Sequence, residues 1–242
     1  SVPRYNWRRL IGLLSGYVVR SFLAPLTQPD RQSVLILDDT SYDRSRSKQV
    51  ELLSRVRDHT SKRYFKGFRM LTLGWSDGTS FVPLDHAMLS SPNKKNRIQG
   101  ITKNLDSRTC GARRRREALC KSTELIVPMI RRALGLFIPA RYLVMDSWFG
   151  FPAVVRSIMS DIHVICMVKN TPKIFYQSEE GNLTLAQCYR KIRKRRGMAQ
   201  IKGSLVGVPR FPVRDDLSKT GQIAERKEWF PVLEWGTWVL AN

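Results

Sequence analysis

The chain has 242 residues, and its 42 Lys and Arg residues against 20 Asp and Glu residues give a formal charge of +22 at pH 7. That charge exceeds what solubility requires and favours a polyanionic partner, DNA or RNA. A membrane partner is disfavoured, because the basic residues are spread along the chain and no apolar stretch approaches the ~20 residues of a membrane span. With 42% hydrophobic residues, the chain can form one large domain or one domain with an insertion.

The cysteines and histidines show no metal-binding or disulfide pattern. The four cysteines are widely spaced without a C-x-x-C pair, which favours reduced thiols in a cytosolic protein. The three histidines lack metal-ligand spacing and are expected to be surface or satisfied core residues. Because Ser1–Arg20 is basic and mixed, we expect no signal peptide and a cytoplasmic location.

The first element is a predicted helix that runs to about Leu26. Its apolar residues recur at helical spacing, which predicts a core-facing stripe or the tail of a larger N-terminal region. A polar connector, Pro25–Ser33, then leads into the first strand. The stripe consists of Trp7, Leu10, Leu14, Val18 and Phe22.

Two similar stretches, Val34–Tyr42 (VLILDDTSY) and Tyr142–Gly150 (YLVMDSWFG), dominate the pattern. Each is a run of aliphatic residues typical of a buried strand, and each ends on aspartate. If the strands are neighbours, Asp38 and Asp146 face each other, and at ~4 Å two such charges repel by roughly 4 kcal/mol at an effective dielectric near 20. A divalent cation such as Mg²⁺ would relieve that repulsion. Alternation along the first strand does not choose between Asp38 and Asp39.

Between these stretches, the pattern predicts a helix or ordered loop at Asp43–Asp58 and then a β-hairpin. The hairpin strands are Tyr64–Trp75 and Thr79–Leu84, and Asp77-Gly78 at the turn is a strong hairpin signal. Asp77 is therefore interpreted as a turn former. The resulting order is β-β-β-α-β-α.

A long polar segment, Ser90–Ala112, precedes the next predicted helix and is expected to be functional or disordered. That helix starts with Arg113, Arg114, Arg115 and Arg116, which either form a solvated face or contact DNA phosphates. Pro128 is expected to kink or divide the helix.

After Asp146, Ser147 is predicted to cap a helix that begins near Phe149, with its positive end beside Asp146. A strand at His163–Val168 follows, and beyond Thr171 short segments predict a small antiparallel β region. This region holds the densest cation cluster, which is interpreted either as a grip on the DNA backbone or as an exposed loop. The cluster consists of Lys191, Arg193, Lys194, Arg195 and Arg196.

The motifs at Leu37–Thr40, Gly67-Phe68, Gly74–Gly78 and Met145–Phe149 resemble DDE-type transposases of bacterial insertion sequences, most closely insertion-sequence family four. The resemblance extends from about Trp7 to the end of the chain. It implies an α/β fold with a ribonuclease-H-like core and a β-rich insertion after the second catalytic aspartate. The implied domains are a helical segment at 1–33, the core at 34–170 and the insertion at 171–242.

The resemblance also implies a mechanism. Asp38 and Asp146 correspond to two catalytic, metal-binding carboxylates that hold two Mg²⁺ or Mn²⁺ ions, and the substrates are terminal inverted repeats and target DNA in the bacterial nucleoid. A homodimer in a synaptic complex is expected. In related transposases a flipped base stacks on an aromatic residue, a role open to Trp229, Trp235 or Trp238 although burial is the more frequent fate of tryptophan.

The third carboxylate of the family lies in a Tyr-x2-Arg-x3-Glu-x6-Lys pattern, which this chain does not contain. Glu225, Glu228 and Glu234 lie in strand-like or connecting segments, so the glutamate is expected beyond Asn242 and the chain alone is expected to be inactive. Two alternatives remain: a catalytically dead DNA-binding or inhibitory remnant of a transposase, and another ribonuclease-H-like nuclease.

Overall fold

The computed structural model describes residues 4–28, 31–58, 61–101, 104–168, 175–178, 181–184, 186–187, 204–205 and 239–241. The chain divides into two compact units, Ser1–Val144 and Met145–Asn242. The domain limits at 33 and 170 that the sequence suggested stay predictions. The architecture is mixed α/β with a mixed sheet, as the predicted fold class requires.

The sheet of the first unit is built around one long strand, β3. Its two edges pair antiparallel with three other strands, β1, β2 and β4, and β5 begins next to β1. Leu35, Leu37, Leu71, Leu73 and Trp75 are fully buried or nearly so, because alternate residues of β1 and β3 point into the core. The strands are β1 (Val34–Asp43), β2 (Ser54–Arg57), β3 (Tyr64–Ser76), β4 (Phe81–Leu89) and β5 (Tyr142–Met145).

The predicted hairpin is present as β3 and β4. Gly78 has φ of 89°, a conformation that glycine adopts without strain. The Asp77 carboxylate accepts hydrogen bonds from the backbone N–H groups of Ser80 (2.7 Å) and Thr79 (3.0 Å), which lower its pKa. Asp77 is therefore a turn residue, as predicted.

Two helices, α2 (Cys110–Glu117) and α3 (Ser122–Gly135), follow the hairpin. The Thr109 hydroxyl accepts from the Ala112 N–H at 3.2 Å and caps α2. The chain breaks between these helices and not at Pro128, which lies inside α3. Pro128 was expected to kink or divide the helix; it does not divide it, and a kink stays a prediction. On α3, Leu125, Ile126, Met129, Ile130 and Ala133 are buried.

Two polar stretches connect the elements of the first unit. Asp43–Asp58, predicted as a helix or ordered loop, contains a loop and the short strand β2. Within Ser90–Ala112, the buried Ser90 donates its hydroxyl to the Leu52 carbonyl at 2.6 Å. Its N–H donates to the Ala118 carbonyl at 2.7 Å. The first bond fastens the start of the segment to the loop before β2, and the second fastens it to the residue that follows α2.

The N-terminal helix α1 (Trp7–Val18) packs on the first unit through its small and polar residues. Gly12, Ser15 and Gly16 are buried, and the Ser15 hydroxyl donates to the Pro83 carbonyl at 2.7 Å. The apolar stripe points outward, so the expectation that it forms core was wrong; close contact with β4 selects small side chains instead. Trp7, Leu10, Leu13, Leu14, Tyr17 and Phe22 are each about half exposed.

The helical stretch Trp7–Leu26 corrects the expectation that no apolar stretch approaches the length of a membrane span. It has 20 residues and a mean hydropathy of 1.2, so by length and composition alone it could cross a membrane. Its charged end is tied to the fold, because Arg8 pairs with Asp85 of β4 and Glu117 of α2, each at 2.7 Å. Asp85 also pairs with Arg132 of α3 at 2.7 Å. We therefore treat this stretch as a helix of the first unit.

The second unit contains α4 (Pro152–Ile158) and β6 (His163–Val168). Strand β10 (Val239–Ala241) pairs parallel with β6 and antiparallel with β9 (Ser204–Leu205). Strands β7 (Phe175–Ser178) and β8 (Gly181–Thr184) form a hairpin. The short strands beyond Thr171 agree with the predicted β region where residues are described; most of 185–238 lies outside the described residues.

Candidate active site

Strand β1 presents Asp38 to solvent. Leu35 and Leu37 on one face of the strand are buried, and Asp38 on the other face is exposed. One carboxylate oxygen accepts the N–H of Asp39 at 2.8 Å, and Asp38 forms no ion pair with any described residue. An exposed carboxylate fixed to its own backbone, with a free second oxygen, is suited to bind a hard cation.

The neighbouring aspartate has a different environment. Asp39 is only 14% exposed and lies 3.2 Å from the Arg69 guanidinium of β3. An arginine partner neutralises a carboxylate and competes with a metal ion for it. Asp38 is therefore the more accessible carboxylate of the two, a distinction that alternation along the strand left open.

Asp146 lies near the start of the second unit, directly after β5. It is half-buried, and its carboxylate accepts the Ser147 N–H at 2.5 Å while its carbonyl accepts the Phe149 N–H at 3.0 Å. These bonds fold the Asp146–Phe149 stretch into a tight turn. The helix that follows starts at Pro152 with Phe151 as its N-cap. The expectations that Ser147 caps a helix near Phe149 and that its positive end adjoins Asp146 were wrong.

Gly150 explains how this turn is held in place. A Cβ on Gly150 would lie 2.7 Å from the Met167 carbonyl oxygen of β6 and 3.5 Å from the Cys166 Sγ. Contacts to backbone at that distance do not occur for real side chains, so glycine allows the turn to pack directly on β6. The DSWFG motif thus combines a carboxylate with a close turn-to-strand contact.

The four arginines of α2 fall into two pairs. Arg114 bonds Glu117 and the His86 carbonyl, and Arg115 pairs with Glu51. Arg113 and Arg116 are exposed, and neither forms an ion pair with a described residue. The interior pair thus stabilises the fold, and the exposed pair can reach a phosphate.

The other predicted DNA contacts are not described. Lys191, Arg193, Lys194, Arg195 and Arg196 lie outside the described residues, as do Trp229, Trp235 and Trp238. Their roles stay predictions.

The metal-binding side chains of the described ranges do not gather into one cluster: no group of three or more His, Cys, Asp or Glu could hold a metal ion. Two of the thiols are poorly suited to act as nucleophiles. Burial raises the pKa of Cys166 to about 11, and the pKa of Cys120 is also raised, by burial and then by Glu124.

Two features of the site were missed at the level of sequence. Arg69 was not linked to Asp39, although it follows Phe68 on a strand predicted to lie in the same sheet. The buried Asp85 was not singled out, although a carboxylate within an apolar strand is a signal for a nearby cation.

Comparison with known proteins identifies the family of the chain. The comparison with curated proteins finds no match to the chain. A family model described as DDE superfamily endonuclease matches residues 7–197, about four fifths of the chain. The chain therefore belongs to the DDE superfamily endonuclease family.

Proposed function

We propose that this chain carries the catalytic core of a transposase that cuts DNA at the ends of an insertion sequence and joins those ends to target DNA. The family supports a nuclease-type enzyme that acts on DNA. The single observation that carries the proposal is the contrast between Asp38, exposed and without an ion pair in the described part of the chain, and Asp39, which Arg69 holds. Assignment to insertion-sequence family four is part of the proposal.

Asp146 is proposed as the second catalytic carboxylate. Asp146 stands in the Met145–Phe149 motif, as Asp38 stands in the Leu37–Thr40 motif. The family match covers both motifs, which supports the proposal that both aspartates are catalytic.

The carboxylate oxygens of Asp38 and Asp146 are chemically suited to bind divalent ions. Enzymes of this superfamily generally use divalent metals, and carboxylate oxygens are the ligands that Mg²⁺ and Mn²⁺ prefer. Asp38 and Asp146 would hold them, with a third carboxylate still a prediction. Bound there, the ions would activate the nucleophile and stabilise the leaving oxygen.

The remaining residues would bind and orient the DNA. Arg113 and Arg116 are proposed as phosphate contacts, because Arg114 and Arg115 are already bound to Glu117 and Glu51. The cluster at 191–196 is proposed to contact the DNA backbone as well. A homodimer in a synaptic complex and a cytoplasmic, nucleoid-associated location remain predictions.

A second candidate is a DNA-binding remnant that cannot cut. It is favoured by the lack of a group of three metal-ligating side chains in the described ranges. A different ribonuclease-H-like nuclease would share the exposed Asp38, and its substrate preference would distinguish it.

The test combines Mn²⁺ binding, measured by titration calorimetry, with Mn²⁺-dependent nicking of supercoiled plasmid. We expect Asp38→Asn to lose Mn²⁺ binding and any nicking, by at least about 100-fold in rate, with an unchanged melting temperature. The matched control Asp39→Asn should keep both activities and lower the stability by about 1 kcal/mol or less through loss of the partly exposed Arg69 pair.

Each outcome has a distinct meaning. Wild-type Mn²⁺ binding in Asp38→Asn would overturn the assignment of Asp38. A wild-type chain that binds Mn²⁺ and DNA without nicking would favour the remnant.

A further inference from the structure

A line of three cations crosses three strands at one end of the first unit's sheet. Arg44 follows β1, and its N–H donates to the Lys66 carbonyl of β3 at 2.7 Å. On the other side of β3, Arg55 of β2 is paired in register with Lys66. Directly opposed residues of antiparallel strands project to the same face, about 5 Å apart. Arg44, Lys66 and Arg55 therefore form a row of like charges, and all three are exposed.

This row is unfavourable in the free protein, because like charges placed opposite each other destabilise a sheet. Within the ranges that the structure describes, none of the three cations forms an ion pair. The surrounding stretch adds to the field: Arg44–Lys66 contains eight Lys and Arg residues but only Glu51 and Asp58 as acids, and Glu51 is bound to Arg115. A bound polyanion would relieve the repulsion between these cations.

Two exposed tyrosines flank the row. Tyr42 is 39% exposed and Tyr64 is 57% exposed. The Arg44 guanidinium lies 5.0 Å from the centre of the Tyr42 ring, and that of Arg55 lies 4.2 Å from the centre of the Tyr64 ring. Aromatic rings between cations are the pattern of surfaces that bind single-stranded nucleic acid, where bases stack on rings and cations follow the backbone.

The surface is continuous with the candidate active site. Asp38, Thr40 and Tyr42 alternate along β1, so they share one face, and all three are exposed. Tyr42 lies four positions after Asp38 on the strand, a span of roughly 13 Å. A strand of DNA on the tyrosines would therefore lead along β1 to Asp38.

We propose that Tyr42, Arg44, Arg55, Tyr64 and Lys66, here called the cation–tyrosine surface, bind an unpaired strand of DNA next to the cleavage site. The inference rests on the proposed function for its connection to Asp38, whereas the binding itself depends only on the surface. Bases stack on the two tyrosines, and the three cations contact phosphates.

The test measures binding of a fluorescently labelled oligo(dT) strand to the full chain in EDTA, by anisotropy at several salt concentrations. We expect Tyr42→Ala and Tyr64→Ala each to weaken binding by about 5- to 150-fold. Tyr42→Phe and Tyr64→Phe should bind like the wild type, because the stacking ring remains. The triple variant Arg44→Gln, Lys66→Gln, Arg55→Gln should reduce the magnitude of the salt slope by about 2.

Arg141→Gln is the matched control. Arg141 is exposed and lies over the Tyr142 ring at 5.5 Å, so the substitution removes an arginine from a tyrosine ring elsewhere in the same unit. The proposal is overturned if Arg141→Gln weakens binding as much as Arg44→Gln or Arg55→Gln. It is also overturned if the alanine variants bind like the wild type. Loss of duplex binding equal to the loss of oligo(dT) binding would overturn the single-strand assignment.

The two proposals fail separately. Because binding is measured in EDTA, it does not depend on the metal. If the surface variants bind oligo(dT) and nick DNA like the wild type, the cation–tyrosine surface does not bind single strands, and the catalytic proposal stands. If the variants bind oligo(dT) more weakly but the wild type does not nick DNA, the proposed surface stands and the catalytic proposal does not.

Discussion

At the scale of single residues, the environment of a carboxylate decides what it can do. Asp38 and Asp39 are adjacent, yet one faces solvent and the other faces Arg69, because neighbouring side chains of a strand point to opposite faces. The sequence predicted the strand and both candidates. It could not choose between them, because the choice depends on a cation from a strand that is distant in sequence.

Asp85 illustrates a carboxylate whose role is structural. It is 5% exposed and pairs with Arg8 and Arg132. We expect Asp85→Asn to lower the free energy of unfolding by about 1.5–3 kcal/mol, because the buried carboxylate loses its charge-assisted hydrogen bonds to Arg132 and Arg8, while Arg8 keeps Glu117. Urea unfolding measures this loss.

The exposed pair of Asp106 with Arg108 provides the control for Asp85. Asp106→Asn should change the stability far less than Asp85→Asn does, because solvent screens an exposed pair. Equal effects of the two substitutions would show that the Asp85 cluster adds nothing beyond a surface pair.

His86 predicts a dependence of stability on pH. Burial lowers its pKa below the ordinary 6.5, and Arg8 acts in the same direction against the opposing charge of Asp85. Between the folded pKa and 6.5 the unfolded chain binds the proton more tightly, so stability falls as the pH decreases from 6.5 toward the folded pKa.

Urea unfolding of the wild type and His86→Gln at pH 7.5 and pH 5.5 checks this effect. The wild type should lose more stability than His86→Gln over this interval, because only the wild type carries the shifted group. An equal loss in both proteins would contradict the burial argument.

At the scale of elements, turn chemistry was predictable and helix termination was not. Asp77-Gly78 correctly predicted the hairpin, because a positive φ at Gly78 requires a particular residue type. Pro128 does not divide the helix as expected. Helix α3 continues through Pro128, and the break in the chain lies earlier, at Ala118–Lys121. Packing of Leu125, Ile126 and Met129 outweighs the missing hydrogen bond.

Pro128 should therefore carry a measurable cost. It is exposed, so Pro128→Ala removes little packing and restores an N–H within α3. We expect the free energy of unfolding to rise, by up to about 3 kcal/mol. Urea unfolding checks the sign.

Pro92→Ala, in an exposed loop, is the control for Pro128. It should lower stability slightly, by about 0.4–1 kcal/mol, because the unfolded chain gains freedom. Destabilisation by both substitutions would mean that Pro128 is well accommodated.

At the scale of the whole molecule, the mixed α/β class and the succession of the first strand, hairpin, helix and second strand were predictable from apolar periodicity. The orientation of α1 was not. Periodicity identifies an apolar face but not the face that meets the sheet, and here Gly12, Ser15 and Gly16 permit a closer approach. The limit between the units, at Val144 and Met145, falls within β5, where composition does not change.

The long strand β3 has a consequence for the order in which the first unit folds. Its pairing with β4 closes a connection of only four residues, Asp77–Ser80, whereas its pairing with β1 requires closure across the stretch from Arg44 to Arg63. Short loops close faster and with a smaller loss of entropy. We expect the β3–β4 hairpin to form first and to serve as the template on which β1 docks. The strand that carries Asp38 therefore joins the sheet late in folding. Substitutions on β1 should accelerate unfolding more than they slow folding.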